Sequence, residues 1–396
     1  MRQLKTPLLF AAISVALFFV SCKKEKTTTT SQQQQPDDEC VTGRMAGNNG
    51  VVIPGQYIVT YKTSSVNART MPSGRLMEIS TRTLENNSIK ASALQQSFAG
   101  EPGGFIARLS AEEAARLKND ESISIVEPDR IVALGTCFTV AEPRLITWGV
   151  NRVGYGDGTG KTAWIIDTGI DFDHPDLNVD ATRSKSFISG NTSARDENGH
   201  GTHVAGIIGA KNNSIGTLGV ASGANLVSLR VLGANGEGTL SAIIQALAYV
   251  NTNAAAGDVV NLSLGEDTVS QTFDQQIQNT AARGILIAVA AGNDNKPAHN
   301  FSPGRVNGPN IFTVSAIDSL DNFASFSNYG NDAVDVAAPG VRILSTYTNG
   351  RYAIMSGTSM ATPHVAGLLL LKGRNITTSG NAKNDPDGTP DPIAHY

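Results

Sequence analysis

Five near-continuous apolar runs constrain the fold of this chain more than any other feature: Thr162–Ile166, Leu226–Val231, Val259–Leu264, Ile285–Ala290 and Ile311–Ala316. A strand with one wet face alternates apolar and polar residues, whereas a strand buried on both faces does not. These short runs therefore read as strands of a parallel sheet covered on both sides. Parallel neighbours need long crossovers, and helical patterns fill the gaps, among them Leu240–Ala255 and Phe273–Arg283. Residues 140–378 thus predict a doubly wound α/β sheet. Such sheets bind ligands beyond the carboxyl ends of their strands, so the polar residues that follow each run are the candidates for chemistry.

The N-terminal part is built differently. Residues 1–22 hold Arg2 and Lys5, then the apolar run Leu8–Val20, too short to span a bilayer comfortably, and read as an export signal. Ser21-Cys22 at its end resembles a bacterial lipoprotein signal, which implies cleavage before Cys22, lipidation of its thiol and a membrane anchor. An ordinary signal peptide with an incidental Cys22 is the alternative, and Phe19 stands where the lipoprotein pattern prefers Leu. Residues 23–50, with runs of Thr and Gln, cannot bury a core and read as a flexible linker.

Residues 51–134 form a small unit. Gln56–Lys62 alternates like a strand, Gly104–Leu109 is a second, and Ser122–Val126 and Arg130–Val132 are two more. Ser110 with Glu113 marks a helix start by a capping box. The order fits a β-α-β-β-α-β, ferredoxin-like α+β domain. Residues 379–396 read as a polar, irregular C-terminal tail. Cys40 and Cys137 are too few for a disulfide framework, although a single Cys40–Cys137 pair stays open, and neither lies near the candidate chemistry. The net charge of −4 with no basic stripe excludes nucleic acid as a partner.

Three polar positions follow apolar strands or open helices. Asp167 ends the run AWIID, with Asp171, Asp173 and Asp176 nearby as rivals. His200 lies between glycines in NGHGTHVAG, with His203 as its rival; no Glu follows His200, so the zinc-protease pattern H-E-x-x-H is absent. Ser359 lies in SGTSMATPHVAG, where Pro363 and the apolar Val365–Leu371 mark a helix start. A serine there would hold its oxyanion near the positive end of a helix dipole, or be a plain N-cap. The segment lacks the G-x-S-x-G elbow, since Ala361 takes the fifth place.

DTGIDFDHPDL, GHGTHVAG and GTSMATPHVAG, in that order, resemble the three signature blocks of subtilisin-like serine proteases. The resemblance covers roughly residues 140–372. It implies a serine endopeptidase with Asp167, His200 and Ser359 as triad, acting through an acyl-enzyme on Ser359 with no catalytic metal. It implies an oxyanion hole from Asn293, in AAGN, and the Ser359 backbone N–H. Protein or peptide substrate would add as a strand along Gly236-Glu237-Gly238 and Ser263-Leu264-Gly265, with Ala290-Ala291-Gly292 as the far wall of the primary pocket. Those walls are small or apolar and show no buried carboxylate, so apolar or uncharged P1 residues are expected. Glu237 and Asp294 are acids near the cleft, either solvated or favouring a basic subsite residue.

The loop 211–217 resembles the family's calcium loop. It implies a structural calcium held by the Asp176 carboxylate, the Asn213 side chain and carbonyls of Lys211, Ile215 and Thr217, with Arg144 where a further amide ligand is usual. Residues 51–134 resemble the family's inhibitory propeptide through YIVTYK, GFIARLS and SIVEPDR. Ile131–Leu134 then reads as an apolar segment lying in the cleft, with the first cut between about Val132 and Glu142, after Leu134. Processing would leave the enzyme secreted or in the cell envelope. A catalytically silent binding module and a peptide ligase on the same scaffold are the rival readings.

Overall fold

The computed structural model describes residues 50–396 apart from 70, 134–136 and 141–145. The export signal, Cys22, the linker, Cys40, Leu134, Glu142 and Arg144 lie outside the described residues. Among the described residues no helix is long and apolar enough to cross a membrane.

The N-terminal unit runs β1 (Val52–Tyr61), α1 (Ser73–Asn86), β2 (Leu94–Phe98), β3 (Gly104–Arg108), α2 (Ala111–Lys118) and β4 (Ile123–Ala133). Its sheet order β4-β1-β3-β2 is the ferredoxin-like arrangement expected. The capping box closes on both sides: Ser110 Oγ accepts from Glu113 N–H, and Glu113 Oε2 accepts from Ser110 N–H. The two last short strands are one, running through Pro128. The β1–β4 ladder shifts register between Val52 and Tyr57, opposite this stretch, and proline is tolerated at such an irregularity. One face of the sheet packs its own core, Val59, Tyr61 and Phe105 against Leu76, Leu84 and Leu117. The other face, through Ile58, Phe98 and Ile106, joins a core of the second unit.

The second unit continues with β5 (Cys137–Val140), α3 (Trp148–Val153), β6 (Gly156–Asp157), β7 (Thr162–Asp167), β8 (Lys185–Ser186), α4 (His200–Gly209), β9 (Ala221–Ser222), β10 (Asn225–Arg230) and β11 (Glu237–Thr239). Then follow α5 (Leu240–Asn253), β12 (Val259–Leu262), α6 (Gln271–Ala282), β13 (Leu286–Ala290), β14 (Ile311–Ile317), β15 (Val336–Pro339), β16 (Ile343–Tyr347), β17 (Arg351–Ser356), α7 (Thr358–Lys372), β18 (Thr377–Asn381) and β19 (Pro392–His395). The five apolar runs become β7, β10, β12, β13 and β14, all in one nine-stranded sheet of order β18-β19-β15-β14-β13-β12-β7-β10-β8. Its pairs are parallel except β18–β19.

Burial on both faces is visible within β7. Ala163 and Ile165 face the core that holds α4 and α7, while Trp164 and Ile166 face the core that holds α5 and α6. The C-terminal residues are not an irregular tail. β19 pairs with β15 at Ala337 and Ile393, and Ile393 and Ala394 are fully buried. Two apolar residues are too few to give a strand period in sequence, and β18 is exposed throughout. Cys137 also departs from expectation. Its backbone pairs opposite Ser356, in the strand leading into α7, so it is not remote from the candidate chemistry.

Candidate active site

The chain leaves β7 toward β10 on one side, whereas β12 leads to β13 on the other. The strand order therefore reverses between β7 and β12, where open α/β sheets form a crevice at the strands' carboxyl ends. Asp167 is the last residue of β7, and Ser263 directly follows β12.

Asp167 is wholly buried and accepts from His200 Nδ1 at 2.8 Å on Oδ1 and 2.9 Å on Oδ2. The Thr168 N–H also donates to Oδ1, at 2.7 Å. With Nδ1–H donated to the carboxylate, the neutral ring carries its lone pair on Nε2. That atom is buried and has no hydrogen-bond partner among the described residues. The glycines beside His200 are steric requirements. A Cβ on Gly201 would overlap the Gly169 carbonyl and lie 3.1 Å from Asp167 Oδ1, and one on Gly199 (φ +116) would enter the Tyr347 ring.

Sequence reasoning missed Asp196. Its Oδ1 accepts from Thr168 Oγ1 and from the N–H groups of Asn198 and Gly199, and its Oδ2 accepts from Thr202 N–H and Oγ1. It thereby ties the end of β7 to the first turn of α4 and holds the Asp167–His200 pair in place. Only its position just before the glycine-flanked histidine could have signalled this. His203 is not a second base. Its Nε2 donates to the carbonyls of Ile343 and Ala353, and burial pulls its pKa down to about 3.

Ser359 is the second residue of α7, which begins at Thr358, well before Pro363. Pro363 has no N–H for the Ser359 carbonyl, and Ser263 Oγ donates to that carbonyl instead, at 2.8 Å. Ser359 Oγ in turn donates to the Ser263 carbonyl at 3.0 Å. The nucleophile candidate is therefore fixed against the end of β12, beside β7, which carries Asp167, with its hydroxyl turned to Ser263 rather than to His200. The single Ser359 O–H is thus given to the Ser263 carbonyl and not to His200.

Asn293 follows β13. Its Oδ1 accepts from Thr358 N–H at 2.8 Å and Thr358 Oγ1 at 2.9 Å, which orients the amide and leaves Nδ2 as the donor. Asn293 and Ser359 line one pocket together with Leu264, Gly265 and Ala290–Gly292, the walls expected from sequence. Glu266 lines it too and is wholly buried, contrary to the expectation of a pocket without a buried carboxylate.

Of the segments expected to pair with substrate, Gly236-Glu237-Gly238 enters β11 (Glu237–Thr239), and β4 occupies that strand. Ala133, Val132 and Ile131 pair antiparallel with Glu237, Gly238 and Thr239 in turn. Two further β4 carboxylates reach helix N-termini of the second unit. Asp129 Oδ1 accepts from Ser241 N–H at the start of α5, and Glu127 Oε1 accepts from Thr272 N–H and Ser270 Oγ at the start of α6. Burial raises the pKa of both.

Of the calcium candidates, Asn213 and Thr217 meet Asp176. Asp176 is wholly buried, and its oxygens accept from Asn213 Nδ2, Thr217 N–H and Tyr352 O–H. Lys211 Nζ turns away to the Pro175 carbonyl, so among the described residues no Lys or Arg neutralises this carboxylate. Asn213 presents nitrogen rather than oxygen to Asp176 and accepts from Ile215 N–H through Oδ1. In composition, one carboxylate, one side-chain amide and three carbonyls suit calcium.

Comparisons with known proteins agree with this geometry. Residues 158–379 match the model of the subtilase family, and residues 56–135 match that of peptidase inhibitor I9. The chain is 42% identical to M-protease of Shouchella clausii (strain KSM-K16) over 279 residues, 68% of this chain and 69% of that protein. It is 44% identical to subtilisin BL of Lederbergia lenta over 242 residues, 59% of this chain and 87% of that protein. A crystal structure of a cold adapted subtilisin-like serine proteinase superposes with a TM-score of 0.56 at 37% identity, covering 64% of this chain and 98% of that one. The chain belongs to the subtilase family of serine endopeptidases and carries an I9 propeptide ahead of its catalytic domain.

Proposed function

We propose that Asp167, His200, Ser359 and Asn293 carry peptide hydrolysis in this chain. The Ser359 hydroxyl leaves the Ser263 carbonyl by one side-chain rotation and gives its proton to His200 Nε2 as Oγ attacks the scissile carbonyl. Asp167 holds the ring through Nδ1 and stabilises its cation. Asn293 Nδ2 and the Ser359 N–H receive the oxyanion, where one such donor is worth roughly 10²–10³ in rate. His200 then protonates the leaving amine, and water, deprotonated by the same nitrogen, releases the acyl group. The observation that carries this reading is the buried Asp167–His200 pair with an unpartnered Nε2 at the reversal of strand order.

Substrate adds to β11 in the antiparallel register that Ile131–Ala133 takes in the precursor. Ser263–Gly265 is the other edge of the cleft, and Ala290–Gly292 the far wall of a broad primary pocket for uncharged P1 side chains, the Glu266 carboxylate in its lining being directed to Arg130 of β4. The propeptide blocks the cleft by occupying β11, and the first cut falls after Leu134. Calcium stabilises the fold through Asp176, Asn213 and the carbonyls of Lys211, Ile215 and Thr217. Export by residues 1–22, with lipidation of Cys22, completes the proposal. N-terminal sequencing of purified enzyme tests it. A mature start between 133 and 143, with Ser359→Ala remaining uncut, supports it; an active enzyme starting upstream of Val51 refutes the propeptide role.

A further inference from the structure

Glu266 is a carboxylate for which the proposed chemistry has no use. It is wholly buried, it lines the pocket that holds Asn293 and Ser359, and its Oε1 has no hydrogen-bond partner among the described residues. Oε2 has only a long contact from Thr268 Oγ1, at 3.5 Å. The cation beside it is Arg130, whose Nε lies 3.9 Å from Oε2. Arg130 belongs to β4, so the charge that compensates Glu266 departs with the propeptide. Glu127 of β4 and Asp274 of α6 are the neighbouring carboxylates, and neither can compensate it.

A buried or half-buried carboxylate that loses its cation is left with an uncompensated desolvation cost. The cheapest remedy is another cation arriving by the same route. That route is defined by register. Arg130 directly precedes Ile131, which pairs with Thr239 of β11, and Arg130 Nη1 is steadied by the Gly50 carbonyl at 2.9 Å. A peptide added to β11 in the same register brings its own side chain to the place of Arg130. We infer that Glu266 is a specificity-determining residue that selects Arg or Lys in the substrate at the position Arg130 holds in the precursor, directly before the residue opposite Thr239. The inference rests on the proposed substrate register.

The test uses matured wild-type enzyme and internally quenched peptides reproducing residues 130–139, with Cys137→Ser and with Arg, Lys, Gln or Glu at position 130. Assay at pH 9 keeps the carboxyl ionised even at the value of about 8 to which burial, with Glu127 and Asp274 nearby, raises it in the precursor. A charge-assisted contact predicts kcat/KM for Arg and Lys about 10-fold above Gln, with Glu lowest. Glu266→Gln enzyme should lose the Arg-to-Gln ratio, and salt should reduce it in wild type. Mass spectrometry of the products identifies the cleaved bond. Equal wild-type rates for Arg and Gln at one constant bond would overturn the role of Glu266 and leave the register standing, as would a ratio retained in Glu266→Gln. Cleavage at bonds that shift from peptide to peptide would overturn the register itself, and the inference with it. The wild-type series is decisive even if the variant does not fold.

Discussion

Asp129→Ala in the propeptide should loosen its hold on the catalytic domain more than any change at the edge of the interface. The Asp129 side chain is fully buried and accepts three hydrogen bonds: Ser241 N–H at 3.0 Å, Gln56 Nε2 at 2.6 Å and Arg130 N–H at 2.9 Å. The first crosses to the catalytic domain and satisfies a donor in the first turn of α5. Leaving the Ser241 donor unsatisfied in a buried site costs ~1–3 kcal/mol, which corresponds to an inhibition constant weaker by about 5- to 150-fold. Matured enzyme titrated with added 51–134 polypeptide, wild type against Asp129→Ala, reads this directly. A change under about 3-fold would show that the carboxylate cap does not hold the two domains together.

The same interface should respond to pH. Glu266 moves from an ordinary 4.5 to about 8 on burial, and Glu127, Asp129 and Asp274 shift in the same direction. A carboxyl raised in the complex contributes full affinity below about 4.5 and loses it as pH rises toward 8. The inhibition constant should therefore rise across that window; a constant flat from pH 5 to 8 would contradict this. Saturating calcium at about 100 times its Kd should raise stability by ~2.7 kcal/mol, a melting shift of about 5–10 °C that chelator removes and Asp176→Asn abolishes. Equal melting with and without chelator would remove the site. Gly201→Ala should cut kcat by about 10²-fold, since its Cβ would displace Asp167 or the Gly169 carbonyl; near-normal kcat would show that this close approach is not required.

Much of the architecture was legible because burial on both faces leaves its mark on composition. β7, β10, β12, β13 and β14 are mostly apolar and buried along almost their whole length, and each was readable from its run. The site was legible for a related reason, since Asp167 and His200 interrupt patterns that otherwise carry small or apolar residues. What was hidden depends on partners distant in sequence. Glu266 looks like one acid of an ordinary polar turn, and two of its charged neighbours, Glu127 and Arg130, come from the propeptide. Asp196 works through backbone N–H donors, which leave no residue-type signal. Pro128 suggested a break in β4 because a proline lacks a ladder donor, yet the irregular register absorbs it. The hydroxyl of Ser359 could not be placed from sequence because its acceptor, the Ser263 carbonyl, is a backbone group far away in the chain.

The central claim is that Ser359 is the covalent nucleophile. Intact-mass analysis of matured enzyme treated with a fluorophosphonate tests it most directly. The account predicts one adduct per chain, mapped to Ser359, formed in step with loss of peptidase activity and abolished by Asp167→Asn or His200→Ala. Labelling at another residue, or peptidase activity that survives stoichiometric modification of Ser359, would contradict it.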